Sequence, residues 1–147
     1  MAQNTLAVFA LTPRADTVTL NTATLGVRTN GSTGSSSLAV TGTNGTKITQ
    51  IWVKNLEANA GGAGTAGTIF IYYGTTAGGA SAATLFDEII LPSATPSTTV
   101  PSARAVNYYN DFQLPTGYTI WVSASIKSDL STAILPNLVV GISGGDL

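Results

Sequence analysis

The sequence predicts an all-β fold: an antiparallel, jelly-roll-like β-sandwich of about eight short strands with little or no helix. Apolar and polar residues alternate with a period of two in several segments, and no segment shows the spacing of an amphipathic helix. The 16 glycines and six prolines interrupt the chain so often that a ten-residue helix has almost no room. Strand-sized runs separated by turn signals are typical of sandwiches and barrels.

The first third of the chain contains short strand candidates separated by Thr- and Gly-rich segments. Four segments fit this description: Thr5–Leu11, Thr17–Leu20, Leu25–Thr29 and Leu38–Thr41. Residues 1–30 form either an extended N-terminal arm that reaches a neighbour or the first strands of the sandwich. No change in composition marks a boundary, so residues 1–147 are predicted to form one domain.

The central strand candidates alternate strictly between two faces. The segment Lys47–Lys54 places one set of side chains on one face (Thr49, Ile51, Val53) and the other set opposite (Ile48, Gln50, Trp52, Lys54). Thr68–Tyr73 sets Ile69, Ile71 and Tyr73 against Phe70 and Tyr72. In the third segment, one set (Leu85, Asp87, Ile89, Leu91) opposes another (Phe86, Glu88, Ile90). Each pattern indicates a half-buried strand.

The C-terminal half contains the clearest alternation. Its inward set is predicted to be Tyr118, Ile120, Val122, Ala124 and Ile126, and its outward set Thr119, Trp121, Ser123 and Ser125. Leu138, Val140 and Ile142 repeat the period near the C-terminus. The best helical candidates are Gly79–Leu85, which is too short, and Asp129–Leu135, which is long enough for one turn. Asn44-Gly45 and Pro115-Thr-Gly117 predict tight turns.

Composition excludes several classes of chemistry. The chain has no Cys and no His, so disulfide scaffolds, thiolate or imidazole metal sites and Ser-His-Asp triads are ruled out by counting. With six Lys and Arg residues and a net charge of −1, it lacks the basic balance of a nucleic-acid binder. The N-terminus shows no signal-peptide pattern and no run is long enough for a membrane helix. We therefore expect no cofactor, no nucleic acid and no membrane as partners.

Two glycine-rich motifs match catalytic or nucleotide-binding patterns only in their letters. Gly62-Ala-Gly-Thr-Ala-Gly67 is a G-x-G-x-x-G, but a strand rather than a helix is predicted to follow it, so no helix N-terminus would hold a phosphate. Gly141-Ile-Ser-Gly-Gly145 is a G-x-S-x-G, but it lacks both a His base and room for a following helix. Both are interpreted as structural glycine-rich segments.

The acidic residues offer no catalytic pair. Asp87 and Glu88 are neighbours on a predicted strand and point to opposite faces, so they cannot act on one substrate. Asp87 lies on an otherwise apolar face, where an ion pair with Arg104 or a lysine is the expected arrangement. The scattered acids do not form a calcium-binding pattern. No catalytic, cofactor-binding or metal-binding residue is predicted, and the chain is predicted not to be an enzyme.

The two tryptophans alternate with polar strand neighbours. Trp52 and Trp121 are therefore each either a core or loop-covered residue, an anchor at a protein interface, or a platform for a sugar ring. Charged residues make up only 9% of the chain, against about 25% in typical domains. A free monomer uses charges to stay soluble and to protect its sheet edges. The low charge predicts that neighbouring subunits cover much of this surface.

Four segments, in this order, resemble small structural proteins of tailed-bacteriophage virions: Lys47–Lys54, Ile69–Tyr73, Leu85–Leu91 and Phe112–Ser123. In such proteins an Ile-Thr-x-Ile-x-Val core strand and a later Leu-Pro-x-Gly-Tyr turn recur, and Ile48–Val53 and Leu114–Tyr118 match them. The resemblance spans residues 45–125. It implies a β-sandwich virion protein with no catalytic residues to transfer.

The resemblance leads to a specific functional expectation. The chain is expected to be a trimeric capsid decoration (cement) protein on the outside of the phage head, with itself and the major capsid protein as partners, assembled in the bacterial cytoplasm. The expected contact residues are Ala2–Leu11, the Gly61–Gly67 loop and Trp121. The alternatives are a tail, baseplate or fibre component, and a carbohydrate-binding sandwich that stacks a sugar on Trp52 or Trp121.

Overall fold

The computed structural model describes residues 12–20, 31, 35–55, 67–92, 103–126 and 138–147. Of this described part, 74% is strand, and two antiparallel sheets pack as a sandwich. The strands are β1 (Thr12–Arg14), β2 (Thr17–Leu20), β3 (Ser36–Val40), β4 (Thr46–Asn55), β5 (Gly67–Thr75), β6 (Thr84–Leu91), β7 (Arg104–Leu114), β8 (Tyr118–Ile126) and β9 (Leu138–Asp146). The predicted all-β class is confirmed.

Sheet 1 contains five strand segments in the order β1–β9–β4–β7, with β2 also paired to β9. β1 and β2 pair with β9 in one continuous register, from Thr12 opposite Asp146 to Leu20 opposite Leu138. The break falls at Ala15 and Asp16, where the Asp16 carbonyl still accepts a hydrogen bond from the Ile142 N–H at 2.9 Å. β1 and β2 therefore act as one interrupted edge strand, which gives the eight strand positions expected from the sequence.

Sheet 2 has the order β3–β8–β5–β6, and all its described pairs are antiparallel. Across the two sheets the pairings nest: β1 and β2 with β9, β3 with β8, β4 with β7, and β5 with β6. This nesting pairs early strands of the chain with late ones. It brings the N- and C-terminal segments together at one edge of sheet 1.

The core lies between the sheets and consists mainly of β-branched residues and leucine. Ile48, Ile51 and Val53 of sheet 1 are fully buried, as are Ile69 and Ile71 of sheet 2, and they belong to one continuous cluster. The predicted inward set of β8 is confirmed for Ile120, Val122 and Ala124, and that of β9 for Leu138, Val140 and Ile142. Burying such side chains contributes about 1.5–3 kcal/mol each before the entropy cost of folding.

Two β-bulges change the faces that simple alternation predicted. In β4 the register shifts between Ile48 and Gln50, so Ile48 joins Ile51 in the core while Thr49 is exposed. The prediction that Thr49 shares the Ile51 face was therefore wrong. In β6 the register shifts at Phe86, and Leu85 packs on the outer face of sheet 2 instead of with Asp87. A bulge adds one unpaired residue and reverses the alternation beyond it.

The turns follow the glycine signals. Gly45 and Gly117 have φ of +99° and +79°, which confirms the tight turns predicted at Asn44-Gly45 and Pro115-Thr-Gly117. Within the helical candidate Gly79–Leu85, Ala80–Ala82 forms a one-turn 3₁₀ helix, which follows another at Thr76–Gly78, and β6 begins at Thr84.

Some predictions fall wholly or partly outside the described residues. Of residues 1–30, the structure describes 12–20, which form an edge of sheet 1. The candidates Thr5–Leu11, Leu25–Thr29 and Asp129–Leu135 lie outside the described residues. Within the described part of the chain, no helix has the length and apolar character needed to cross a bilayer.

Candidate functional site

The part of the outer face of sheet 2 around Trp121 is covered by the chain itself. Here Tyr72 pairs with Trp121 and Phe70 with Ser123, and these four side chains define what we call the Trp121 face. Their exposed fractions are 0% for Tyr72 and Ser123, 4% for Phe70 and 7% for Trp121. At these positions of β5 and β8 both sides of the sheet are therefore buried, although the alternation is as regular as in a half-exposed strand. At the β6 edge of the same outer face, Ile90 is 74% exposed.

The segment between β5 and β6 contributes to this cover. Ala83 is fully buried in the same cluster as Trp121, with Ala80 and Leu85 packed against it. The Gly31 N–H donates to the Ala83 carbonyl at 2.9 Å, which fixes a further segment of the chain to this cover. The Tyr72 and Ser123 hydroxyls share a buried hydrogen bond of 3.1 Å. Trp121 is thus held inside the chain and is not a surface anchor, contrary to the contact role predicted from the sequence.

The outer face of sheet 1 presents the second tryptophan. The half-buried Trp52 side chain lies against Gly141 on the neighbouring strand, where an added Cβ would overlap the indole ring. The Arg104 guanidinium carbon stands over the same ring, 5.9 Å from its centroid. Glycine at 141 therefore lets the ring pack close to the sheet, and a cation–π contact holds Arg104 above it.

The side chains around Trp52 form a mixed apolar and cationic surface. We call it the Trp52 face and define it by the outward residues of β4, β7 and β9: Gln50, Trp52, Lys54, Arg104, Val106, Tyr108, Val139 and Ser143. Tyr108 is 76% exposed, while Val106 and Val139 are half-buried beside the indole. Gln50 Nε2 donates to Ser143 Oγ at 2.9 Å. Polar and apolar groups are therefore interleaved on a flat sheet surface.

The charges on the Trp52 face are unbalanced. Lys54 and Arg104 are directly opposite each other on β4 and β7, and both are exposed. Lys47 lies further along β4 on the same side of the sheet, since its neighbour Ile48 points into the core. Both ion pairs recorded among the described residues belong to Arg14, with Asp16 and Asp146. Within the described part of the chain, no carboxylate forms an ion pair with Lys47, Lys54 or Arg104.

Asp87 has partners other than the basic residue predicted from the sequence. Its Oδ2 accepts hydrogen bonds from the Tyr109 hydroxyl at 2.6 Å and from Asn107 Nδ2 at 2.8 Å. Its Oδ1 accepts from the Glu88 N–H at 2.8 Å. Arg104, the predicted partner, instead lies over Trp52. The Asp87 cluster joins β6 to β7 and so ties together the edges of the two sheets.

Five aromatic rings pack beside Asp87. Phe86 and Phe112 stack with centroids 4.2 Å apart, and Tyr109 lies 5.5 Å from each. Tyr73 contacts both phenylalanines and stacks on Tyr118 at 6.4 Å. Burial, followed by the hydrogen bond and negative charge of Asp87, raises the pKa of Tyr109 far above its ordinary range. The phenol therefore stays neutral and serves as a hydrogen-bond donor, which is a structural role.

The Arg14 cluster closes the sandwich near the β3–β4 turn. Arg14 pairs with Asp16 at 2.6 Å and with Asp146 at 3.1 Å, and it also donates to the Val40 carbonyl. The Thr46 hydroxyl donates to Asp146 Oδ1 at 2.7 Å. This hydrogen bond and the Arg14 charge lower the pKa of Asp146. The cluster joins β1 to β9, and the Thr46 hydroxyl beside the Asp146 carboxylate is buried.

The structure assigns structural roles to the motifs that resemble catalytic sites. The whole of Gly141–Gly145 lies within β9, and the Ser143 hydroxyl has Gln50 as its partner. Gly67, the last glycine of the nucleotide-like motif, is the first residue of β5, so a strand does follow it. Within the described ranges, no group of three or more carboxylate, imidazole or thiol side chains is placed to hold a metal ion.

The remaining predicted contact residues fall mostly outside the described part. Ala2–Leu11 and residues 61–66 lie outside it. The Trp52 face was not singled out as a unit from the sequence. The alternation of the two strands contains a signal for it: Gln50, Trp52 and Lys54 share one side of β4, and Arg104, Val106 and Tyr108 share one side of β7. Nothing in the sequence shows that these two strands are neighbours in a sheet.

Comparison with known proteins leaves the chain without an assigned family. No protein-family model matches it, and no curated protein matches it either.

Proposed function

We propose that the chain is a non-enzymatic structural protein of a tailed-bacteriophage virion, acting as a trimeric decoration protein on the capsid surface. The observation that supports this most directly is the Trp52 face. It combines an aromatic, partly apolar sheet surface with cations that form no ion pair among the described residues, on a chain with only 9% charged residues. Such a surface fits a protein that is packed against neighbours in its working state.

The mechanism follows from selective binding. A protein that binds the assembled shell but not free subunits stabilises the shell by mass action, because separating the subunits then also requires release of the bound copies. A β-sandwich with a tightly packed core, in which β1 and β2 pair with β9 at one edge, can hold such contacts without deforming. No chemical step is involved, which agrees with the structural roles of Asp87, Tyr109 and Asp146.

The copy number of the chain in purified virions tests the location. A decoration protein is expected in numbers comparable to the capsid subunits, measured by quantitative mass spectrometry against the major capsid protein. A tail, baseplate or fibre component would be present in far fewer copies. A chain that is missing from virions altogether would contradict both versions of the proposal.

The oligomeric state tests the trimer. Size-exclusion chromatography with light scattering is expected to give three times the 14.9 kDa chain mass. A strictly monomeric species at high concentration would contradict the trimer.

A carbohydrate-binding module is the second candidate, and one observation favours it. Trp52 presents a half-buried aromatic ring on the outer face of a sheet, which is the kind of surface on which a sugar ring stacks. A sugar that stacks on this ring would compete with the Arg104 guanidinium. Glycan-array binding that is lost in Trp52→Ala would establish this candidate, and wild-type protein that binds no glycan would eliminate it.

A further inference from the structure

We propose that the Trp52 face is the docking surface of the chain, and that its partner is a protein surface that presents carboxylates to Arg104 and Lys54. This inference rests on the proposed function and specifies which surface performs it. The Trp121 face is unsuited to this role, since Tyr72 and Ser123 are fully buried within the chain. The outer face of sheet 1 instead carries the 76% exposed Tyr108 beside Trp52.

The composition of the Trp52 face favours a protein partner. Trp, Tyr and Arg are the residue types most enriched among those that dominate binding energy at protein interfaces. Here Trp52, Arg104 and Tyr108 lie on adjacent strands within a few residues of one another in register. Half-buried Val106 and Val139 surround the indole with apolar surface, whereas Lys54 lies toward the border. This matches an apolar interface centre with a charged rim.

The charge of the Trp52 face specifies the chemistry of the partner. Arg104 and Lys54 are opposite each other, and no described carboxylate pairs with either. The contact with Trp52 restrains the Arg104 side chain before binding. Less side-chain entropy is therefore lost when its guanidinium donates hydrogen bonds to a carboxylate of the partner. Excess positive charge on one side is complemented by a partner that carries negative charge there.

The main test measures binding of the labelled chain to phage heads that lack it, prepared from a phage in which its gene is disrupted. Arg104→Glu is expected to weaken binding about a hundredfold, and Tyr108→Ala about tenfold. The matched control is Ile90→Ala, because Ile90 is 74% exposed, close to the 76% of Tyr108, but lies on β6 of the other sheet. It should bind within about twofold of wild type.

The outcomes separate the docking surface from the function. Heads that bind wild type and all three variants equally would overturn the docking surface and leave the decoration function standing. Heads that do not bind the wild-type chain would overturn the decoration function. If Arg104→Glu and Tyr108→Ala bind more weakly while Ile90→Ala does not, and all melting temperatures stay near wild type, the result supports both the docking surface and the decoration function.

A second measurement tests the partner chemistry without phage heads. Poly-L-glutamate at low salt is expected to bind wild type, to lose affinity for Arg104→Glu and to be displaced by added salt. Binding to polygalacturonate but not to poly-L-glutamate would overturn the protein partner in favour of a glycan. If the chain instead self-associates, if Tyr108→Ala abolishes that self-association and if poly-L-glutamate does not bind, the Trp52 face binds a second copy of the chain. That result would also overturn the acidic protein partner.

Discussion

The outer faces of the two sheets carry one tryptophan each, and the two side chains are buried to different extents. Trp121 is 7% exposed and packs with Phe70, Tyr72 and Ala83 under a covering segment. Trp52 is half-buried, and its ring is held between Gly141 and the Arg104 guanidinium. Alternation in a strand tells which side of the sheet a residue occupies. Whether that side is covered depends on other parts of the chain.

The Trp121 face therefore contributes to folding, and the Trp52 face is available for association. Burial of the Trp121 face is complete when the chain folds, so its apolar area contributes to folding stability. The Trp52 face keeps part of its aromatic and apolar area accessible, and that area remains available for association. The two faces therefore predict opposite sensitivities: changes on the first should affect unfolding, and changes on the second should affect binding.

The largest effect is expected from truncating the two tryptophans. Trp121→Ala removes a buried aromatic side chain and should lower the free energy of unfolding by about 3–5 kcal/mol. Trp52→Ala removes a half-buried ring at the surface and should cost about 1 kcal/mol. Urea unfolding followed by circular dichroism measures both. Equal losses in the two variants would show that the chain covers Trp52 as fully as Trp121.

The alternation of the strands could be predicted from the sequence, whereas the bulges and the cover could not. The inward positions of Ile120, Val122 and Ala124 follow from the period alone. The shift at Thr49 depends on how β4 pairs with β7 and β9, strands about 60 and 90 residues away, and no local pattern encodes it.

The partners of Asp87 show the same limit. An acid on an apolar strand face predicts a buried partner, and electrostatics suggested Arg104. The nested pairing of the strands instead brings Tyr109 and Asn107 across from the other sheet. Neutral donors satisfy the carboxylate there. Local sequence predicted the need for a partner, and only the pairing of distant strands could supply its identity.

Tyr109→Phe tests whether the two faces are independent of the edge that joins the sheets. Loss of the hydrogen bond to Asp87 should cost about 1.5–3 kcal/mol, because the acceptor is charged, and should leave association through the Trp52 face unchanged. A stability loss accompanied by weaker head binding would show that the edge and the Trp52 face are coupled.

The pH dependence of this variant has a definite sign. The raised pKa of Tyr109 means that the folded state keeps its phenol proton when the unfolded state has lost it, above about pH 10. Stability from the neutral phenol is therefore present in full below that pH and falls as the pH rises further. Melting temperatures should fall more steeply in wild type than in Tyr109→Phe between about pH 9 and pH 11. Parallel curves would contradict this role.

Two glycines on β9 differ in what surrounds them: backbone atoms lie nearest to Gly144, and a side chain lies nearest to Gly141. A Cβ at Gly144 would meet the Lys47 carbonyl and the Ile48 backbone, which cannot move without disturbing β4. The atoms nearest to a Cβ at Gly141 would all belong to the Trp52 ring, which can swing outward from the sheet. Gly144→Ala should cost about 1–3 kcal/mol and Gly141→Ala less. Trp52 emission should shift to the red in Gly141→Ala alone; a larger cost at Gly141 would mean that the Trp52 ring is not free to move.

The smallest effect is expected from replacing two serines that each form a side-chain hydrogen bond, Ser123 on the Trp121 face and Ser143 on the Trp52 face. Ser123 is fully buried and bonds to the Tyr72 hydroxyl, whereas Ser143 is partly exposed and accepts from Gln50. Water can replace the partner of Gln50 but cannot reach Tyr72. Ser123→Ala should therefore cost about 0.5–1.5 kcal/mol and Ser143→Ala less than about 0.5. Because both changes remove one hydroxyl from a central strand, intrinsic strand preference cancels in the comparison. If Ser143→Ala proved as costly as Ser123→Ala by urea unfolding, the Trp52 face would be as closed to water as the Trp121 face, and its accessibility for docking would be refuted.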